Sequence, residues 1–298
     1  MTLPATRVIR LERQDWRLFA TIDDPTTRNA MTAALTGDLW AILEATRADR
    51  SLRALILQGA NGAFCAGADL KRAERARPDG ERGLAPGEKT PEEEDPVLAS
   101  NRRGGELFAA FDAHPLVTIA VVDGPAFGGG FGLACCADFV IAGPRARFAL
   151  SETGLGLPPA QIAPYVVGRL GLRVARQLAL SGRRLDGPAA LAVGLADACA
   201  VSEADIAPLL DAILANVGTC APEANAVTKS LLHRALQADP AAYREEAARA
   251  FSACLRGPEG QEGVRAFAEK RRPVWAAPTG AAPTGAAPIR AITNADPS

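Results

Sequence analysis

Apolar and polar residues alternate from Val8 to Gln14 and again from Arg17 to Asp23, on either side of Gln14-Asp15-Trp16. A period of two with a polar break predicts an antiparallel hairpin. After the polar loop from Asp23 to Met31 the period changes. Leu35, Leu39, Ile42, Leu43 and Ala45 recur at helical spacing between Thr32 and Arg50, with Thr32 placed to cap the first turn. Leu52 to Gln58 then reads as a buried strand, and a strand that follows a crossover helix suits a parallel sheet.

Helical spacing resumes from Val97 to His114, strands are predicted from Val117 up to Asp123 and at Asp138 to Ala142, and Arg147 to Leu150 leads into Ser151-Glu-Thr-Gly154. A loop rich in glycine and proline, Gly154 to Pro159, opens a helix over Ala160 to Leu170, with proline suited to its first turn. Further helices are predicted over Leu172 to Ser181, Gly187 to Ala192 and Ser202 to Gly218, with Gly182, Gly194 and Gly218 as C-terminal stops. Pro222 to Gln237, Pro240 to Arg256 and Pro258 to Arg271 all carry the helical pattern.

Strands first and helices last predict an α/β core followed by a helical subdomain. We divide the chain into a core over 1–200, a helical C-terminal region over 201–275, and a flexible tail over 276–298, where Ala-Ala-Pro-Thr-Gly repeats cannot build a core. A charged, proline-rich insertion at about 72–96 includes Glu92-Glu-Glu-Asp95. It is expected to be a loop or partly disordered lid, either closing over substrate or simply solvated.

Composition narrows the function classes. The formal net charge of −1 supplies no general pull toward nucleic acid or anionic membrane. The first residues lack the apolar segment of a signal peptide and no apolar run is long enough to span a bilayer, so a cytoplasmic protein is expected. The six cysteines have no CxxC spacing and sit in apolar segments, which predicts reduced, buried thiols. Two histidines make a metal site or a histidine-dependent mechanism hard to build.

Two stretches carry the candidate chemistry. In Val117 to Asp138 an apolar strand runs into Gly128-Gly129-Gly130 and then a helix; in Leu52 to Leu70 a similar strand runs into Ala63-Phe-Cys-Ala-Gly-Ala68. Turns without Cβ atoms let the backbone approach a ligand, and unpaired N–H groups at a helix start favour negative charge. One amide from each loop, about 3 Å from a thioester oxygen, would form an oxyanion hole.

Phe64-Cys-Ala-Gly-Ala-Asp-Leu70, Gly124-Pro-Ala-Phe-Gly-Gly-Gly130 and Glu152 in Phe148-Ala-Leu-Ser-Glu152 resemble, in order and spacing, the signature of the crotonase (enoyl-CoA hydratase/isomerase) superfamily. The resemblance runs from about Val8 to Trp275. It implies a spiral of ββα turns with a helical C-terminal region, assembled as a trimer or a dimer of trimers. It also implies an acyl-CoA substrate and neither metal nor other cofactor, since coenzyme A comes with the substrate.

By the same resemblance the oxyanion donors are Ala66 and Gly129, with Gly128 beside them, and Glu152 is the acid/base. Glu152 flanked by Leu150, Leu155 and Leu157 is expected to be partly desolvated, with a raised pKa; the plainer reading makes it a surface residue at the Thr153-Gly154 turn. Ala68, Asp69 and Leu70 match the loop at the adenine pocket, although Asp69 also suits a helix N-cap. Lys270 matches a lysine reaching the 3′-phosphate, sometimes of a neighbouring subunit, or else is a solvated charge. Phe267 beside it reads first as packing.

Gln161 and Tyr165 are candidates for holding water or a polar acyl group, with a solvent-facing helix start as the alternative for Gln161. His114 and His233 read as structural or exposed, and Asp123 as a turn residue. The sequence departs from the two-carboxylate hydratases at Gly132, where they carry a second glutamate. That loss weakens joint activation of water and strengthens double-bond isomerisation with one base. A catalytically weak member binding coenzyme A or RNA, and thioester hydrolysis or decarboxylation on the same scaffold, are the rival readings.

Overall fold

A computed structural model describes residues 3–68, 96–236 and 238–276. Asp69, Leu70, most of the charged insertion and the repetitive tail lie outside those residues.

The hairpin forms as expected: β1 (Ile9–Gln14) pairs antiparallel with β2 (Arg17–Ile22), and Asp15 turns the corner at φ 56°. Helix α1 (Ala33–Thr46) starts on Thr32, whose hydroxyl accepts from the Leu35 amide at 3.2 Å. It ends at Thr46, short of the predicted Arg50. β3 (Ala54–Gly59), β4 (Val117–Val122), β6 (Phe139–Ala142) and β8 (Ala198–Cys199) then add to the sheet in parallel, giving the order β1-β2-β3-β4-β6-β8. Short β5 (Pro125–Phe127) and β7 (Arg147–Ala149) form a second, parallel pair.

The central strands are mostly apolar, Gln58 and Thr118 apart, because both faces of the sheet are covered. Leu55, Leu57, Ala120, Val122, Val140 and Ala142 face the larger core, which includes residues of α1, of α2 (Pro96–Asp112), of α3 (Gly129–Cys136) and of α4 (Ala163–Ser181). Ala54, Ile56, Ile119, Val121 and Ile141 face a smaller core closed by Leu210, Ile213, Leu214 and Val217 of α6 (Ile206–Val217). Between α4 and α6 lies the short α5 (Gly187–Ala192), capped by Asp186.

The helix ends match the sequence reading in part. The helix expected at Ala160 begins at Ala163, because Pro158 to Gln161 form turns first. The breaks at Gly171 (φ 70°) and Gly182 (φ 61°) are left-handed, as glycine allows, whereas Gly218 ends α6 with right-handed helical dihedrals. The last three helices, α7 (Pro222–Ala235), α8 (Pro240–Arg256) and α9 (Pro258–Ala268), each begin on a proline whose missing N–H costs nothing in the first turn.

These three helices pack mainly on one another. Phe251, Leu236 and Phe267 are at least 70% exposed. Among the described residues no single helix is long and apolar enough to cross a membrane.

Candidate active site

The two glycine-containing loops meet through backbone pairing. Residues 64–67 run alongside β5: the Phe64 and Cys65 amides both donate to the Pro125 carbonyl, at 3.1 and 2.9 Å, and the Phe127 amide donates to the Cys65 carbonyl at 3.0 Å. The pairing brings Gly67 against Phe127 and Gly128. A Cβ on Gly67 would lie 3.0 Å from the Phe127 carbonyl oxygen, and Gly67 itself takes φ 90°, so this position is suited to glycine twice over. On the far side the Met31 amide donates to the Gly67 carbonyl at 2.8 Å, and Asn29 holds the Ala60 and Ala63 carbonyls at 3.2 and 2.7 Å.

Gly128 precedes α3 with φ 50° and ψ −115°, its own amide bonded to the Ala149 carbonyl at 3.0 Å. Gly129 therefore opens the helix, where an amide has no partner within the helix. The amides of Ala66 and Gly129 have no hydrogen-bond acceptor among the described residues.

Glu152 starts a single 3₁₀ turn, Glu152–Leu155. The turn is pinned by Thr153, whose hydroxyl donates to the Ala179 carbonyl of α4 at 2.7 Å, and by Gly156 at φ 74°, whose amide returns to the turn's carbonyls. The Glu152 carboxyl thereby reaches the meeting point of the loops: Oε1 lies 3.2 Å from where a Gly128 Cβ would be, and the Gly67 Cα lies 3.8 Å from the same point. Its Oε2 is buried and has no hydrogen-bond partner among the described residues. Burial raises the Glu152 pKa, partly offset by the amides of Glu152 and Ser151.

The source of that desolvation is not the one expected. Leu150 is buried, but Leu155 and Leu157 are 57% and 47% exposed, so two of the three proposed flanking leucines point elsewhere. Gly128 stands beside the carboxylate instead, with Gly67 on its other side, and only tertiary pairing brings the three segments together.

Gly132, where a second carboxylate would stand, faces an occupied space. A Cβ there would meet Ile162 Cγ2 at 2.3 Å and Phe108 Cε1 at 3.1 Å. An apolar wall of Phe108 and Ile162 stands in its place, with Tyr165 tilted against Phe108 at 6.4 Å between ring centroids. Burial pushes the Tyr165 hydroxyl up to about 12. Met31 adds to the wall, its Cγ lying 3.0 Å from a Gly129 Cβ. Met31, Phe108 and Ile162 are neighbours of the site that spacing did not reveal; only the glycine at 132, leaving room to be filled, hints at them.

The remaining candidates separate. Gln161 neither faces open solvent nor points to Glu152: its side chain packs on Gly105 and its amide donates to Asn101 Oδ1 at 2.7 Å, tying the start of α4 to α2. Ala68 pairs with Met31 in an isolated bridge beside the loop. Phe267 is 87% exposed at the end of α9 and packs little within the chain, contrary to its reading as a packing residue, and none of the hydrogen bonds or ion pairs of Phe267 or Lys270 reaches the glycine turn or Glu152.

Asp123 is a turn residue, as expected, accepting from the Arg145 amide at 2.9 Å and from its guanidinium. His114 is fully buried and structural: Nε2 lies 3.2 Å from the Leu43 carbonyl, and Nδ1 accepts from the Leu116 amide at 3.4 Å. His233 pairs with Asp112 at 3.3 Å. All six cysteines are free, but only Cys65, Cys135 and Cys136 are buried as expected; Cys199 and Cys254 are partly buried and Cys220 is exposed. Next to the site, burial pushes the Cys65 thiol up to about 12, which removes it as a thiolate nucleophile.

Two loops paired side by side with free amides, a half-buried carboxylate beside them and a mostly parallel α/β scaffold define a crotonase-type protein. Residues 18–278 match the enoyl-CoA hydratase/isomerase family, and the chain belongs to it. It is 34% identical over 254 residues to bovine enoyl-CoA hydratase domain-containing protein 2, mitochondrial, covering 84% of this chain and 80% of that one. It is 31% identical over 252 residues to enoyl-CoA hydratase AFT6-1 of Alternaria alternata, covering 84% and 78%. Among solved structures, an enoyl-CoA hydratase/isomerase from Marinobacter aquaeolei superposes with a TM-score of 0.83 at 42% identity, over 91% of this chain and 99% of that one. Pseudomonas aeruginosa AtuE gives 0.82 at 42%, over 91% and 100%.

Proposed function

We propose that this protein is an enoyl-CoA hydratase/isomerase in which Ala66 and Gly129 bind the thioester oxygen and Glu152 alone moves the proton. The observation that carries the reading is the Glu152 carboxyl, partly buried, one oxygen without a partner, against the two glycine turns. An enolate bears its charge only along the reaction path, so amides fixed in advance stabilise it more than the bound substrate. The raised pKa of Glu152 suits a group that must both take and return a proton near neutral pH.

Within the family's two reactions, the filled space at Gly132 favours double-bond isomerisation. Glu152 removes a proton from the carbon next to the thioester carbonyl of a 3-enoyl-CoA, the electrons pass into a dienolate held by the two amides, and the same proton returns to the far carbon of the allyl unit. Hydration instead needs water held and activated beside the β carbon, and Phe108 and Ile162 offer it no hydrogen bond. In this reading no metal or other cofactor takes part, and coenzyme A is held by Ala68, Asp69 and Leu70 at one end and by Phe267 and Lys270 at the other, with Gln161 bracing the acyl end.

The test is turnover of a 2-enoyl-CoA, a 3-enoyl-CoA and a malonyl-type thioester by wild type and Glu152→Gln. We expect the wild type to act on the 3-enoyl ester, and the variant to keep binding it while kcat falls by at least about 100-fold. Unchanged turnover by Glu152→Gln removes this carboxylate from the mechanism, and products only from the malonyl-type ester point to decarboxylation or hydrolysis instead.

A further inference from the structure

The residue joining the two loops of the site is Phe127. Its amide donates to Cys65, its carbonyl abuts Gly67, and its neighbour Gly128 bends the chain into Gly129. A half-buried phenylalanine in so short a strand needs something to hold its ring. That partner comes from a distant part of the chain: the Arg184 guanidinium lies 5.6 Å from the centre of the Phe127 ring.

Arg184 is itself firmly based. It follows the left-handed Gly182, and its neighbour Leu185 exchanges two backbone hydrogen bonds with Phe148 of β7, at 2.8 and 2.9 Å. β7 in turn pairs Ala149 with Phe127. The arginine is exposed and, among the described residues, engages no carboxylate and no hydrogen-bond acceptor, so the ring is its one specific partner. A planar cation over an aromatic face is an oriented contact, which a lysine meets only in part.

We propose that Arg184 is a positioning residue for the oxyanion hole: by clamping the Phe127 ring it fixes the Phe127-Gly128-Gly129 backbone, and with it the Gly129 amide that the enoyl-CoA reading makes a donor alongside Ala66. The proposal rests on the enoyl-CoA reading for its effect on catalysis, but its effect on the backbone does not. Misplacing one donor weakens charge stabilisation in the transition state while leaving most substrate contacts intact.

Arg184→Gln, Arg184→Lys and Phe127→Leu test it with two readouts. In the ligand-free protein, deuterium uptake by the amides of residues 127–131 should rise in Arg184→Gln and Phe127→Leu, with the rest of the sheet unchanged. On an enoyl-CoA substrate, kcat should fall about tenfold with KM within about threefold of wild type, Arg184→Lys should recover part of it, and the double variant should be no worse than Phe127→Leu alone. Wild-type uptake and kcat in Arg184→Gln overturn the proposal, as does uptake that rises evenly over the whole fold with no recovery by lysine. If the wild type acts on no enoyl-CoA, the reading of the site fails, and the exchange measurement still decides whether Arg184 holds the loop.

Discussion

Glu152 and His114 are both perturbed by burial, with opposite consequences for stability. Burial raises the Glu152 pKa above its ordinary 4.5, so the folded chain binds that proton more tightly than the unfolded one. The resulting stability is complete below 4.5 and is lost as pH rises through the raised value. At neutral pH the ionised group is a burden, so Glu152→Gln should raise Tm by about 1–3 °C at pH 7.5 and give no gain at pH 4, as read by calorimetry. In kcat/KM the same pKa should appear as an acid limb above 4.5; a limb at or below that value contradicts the desolvated site. His114 is held neutral instead, its pKa pushed down from 6.5 to about 4, chiefly by burial. Its contribution is present above 6.5 and is lost as pH falls through about 4. His114→Phe, giving up the bonds to Leu43 and Leu116, should be less stable than wild type at pH 8, yet show a flatter decline of Tm between pH 7 and pH 5. The motif made Glu152 legible in the sequence, but its surroundings were not. Leu155 and Leu157 are next to it in the chain and largely exposed, while Gly128 is distant in the chain and stands beside its carboxyl.

At the scale of elements, α3 depends on its glycines unequally, because each faces a different neighbour. A Cβ on Gly130 would sit 2.5 Å from the Cys65 carbonyl oxygen, which is backbone already committed to Phe127, whereas one on Gly129 meets the movable end of Met31 at 3.0 Å. Gly130→Ala should therefore cost about 1–3 kcal/mol in denaturant unfolding and separate the loops, with Gly129→Ala costing less. Gly132→Ala should resemble Gly130→Ala, since Ile162 is branched close to its backbone and has little room to retreat. If all three cost the same, close packing around α3 is not what selects glycine there. The elements themselves were largely readable. Alternation gave the β1-β2 hairpin, helical spacing and Thr32 gave the start of α1, and proline marked the first turn of each of the last three helices. What local pattern did not carry was the pairing of residues 64–67 with β5, or the second core that separates the two faces of β3 and β4. Both are relations between segments far apart in the chain.

In the whole molecule, the C-terminal helices do not yet bury what they carry. Leu232, Leu236, Phe251, Val264 and Phe267, on or at the ends of α7 to α9, are all more than half exposed, and exposed apolar side chains gathered on three adjacent helices mark a surface for a partner. We expect that face to be covered by further copies of the chain, and Phe251→Asp to lower the mass measured by light scattering toward that of the monomer. Assembly also offers a use for Lys270, which within one chain makes no hydrogen bond or ion pair that reaches Glu152 or the glycine turn. If its ammonium meets the phosphates of coenzyme A bound to a neighbour, the two functions of one site belong to two chains. Lys270→Ala should then raise KM about tenfold with kcat little changed, as the loss of one charge-assisted contact would. Glu152→Gln subunits are inactive on this reading but still carry the lysine. Oligomers reassembled from both variants should therefore contain sites that pair an intact Glu152 with an intact Lys270, and these should show the wild-type KM at reduced kcat. A mixture that keeps the high KM of Lys270→Ala places the lysine on its own subunit's substrate, or on none.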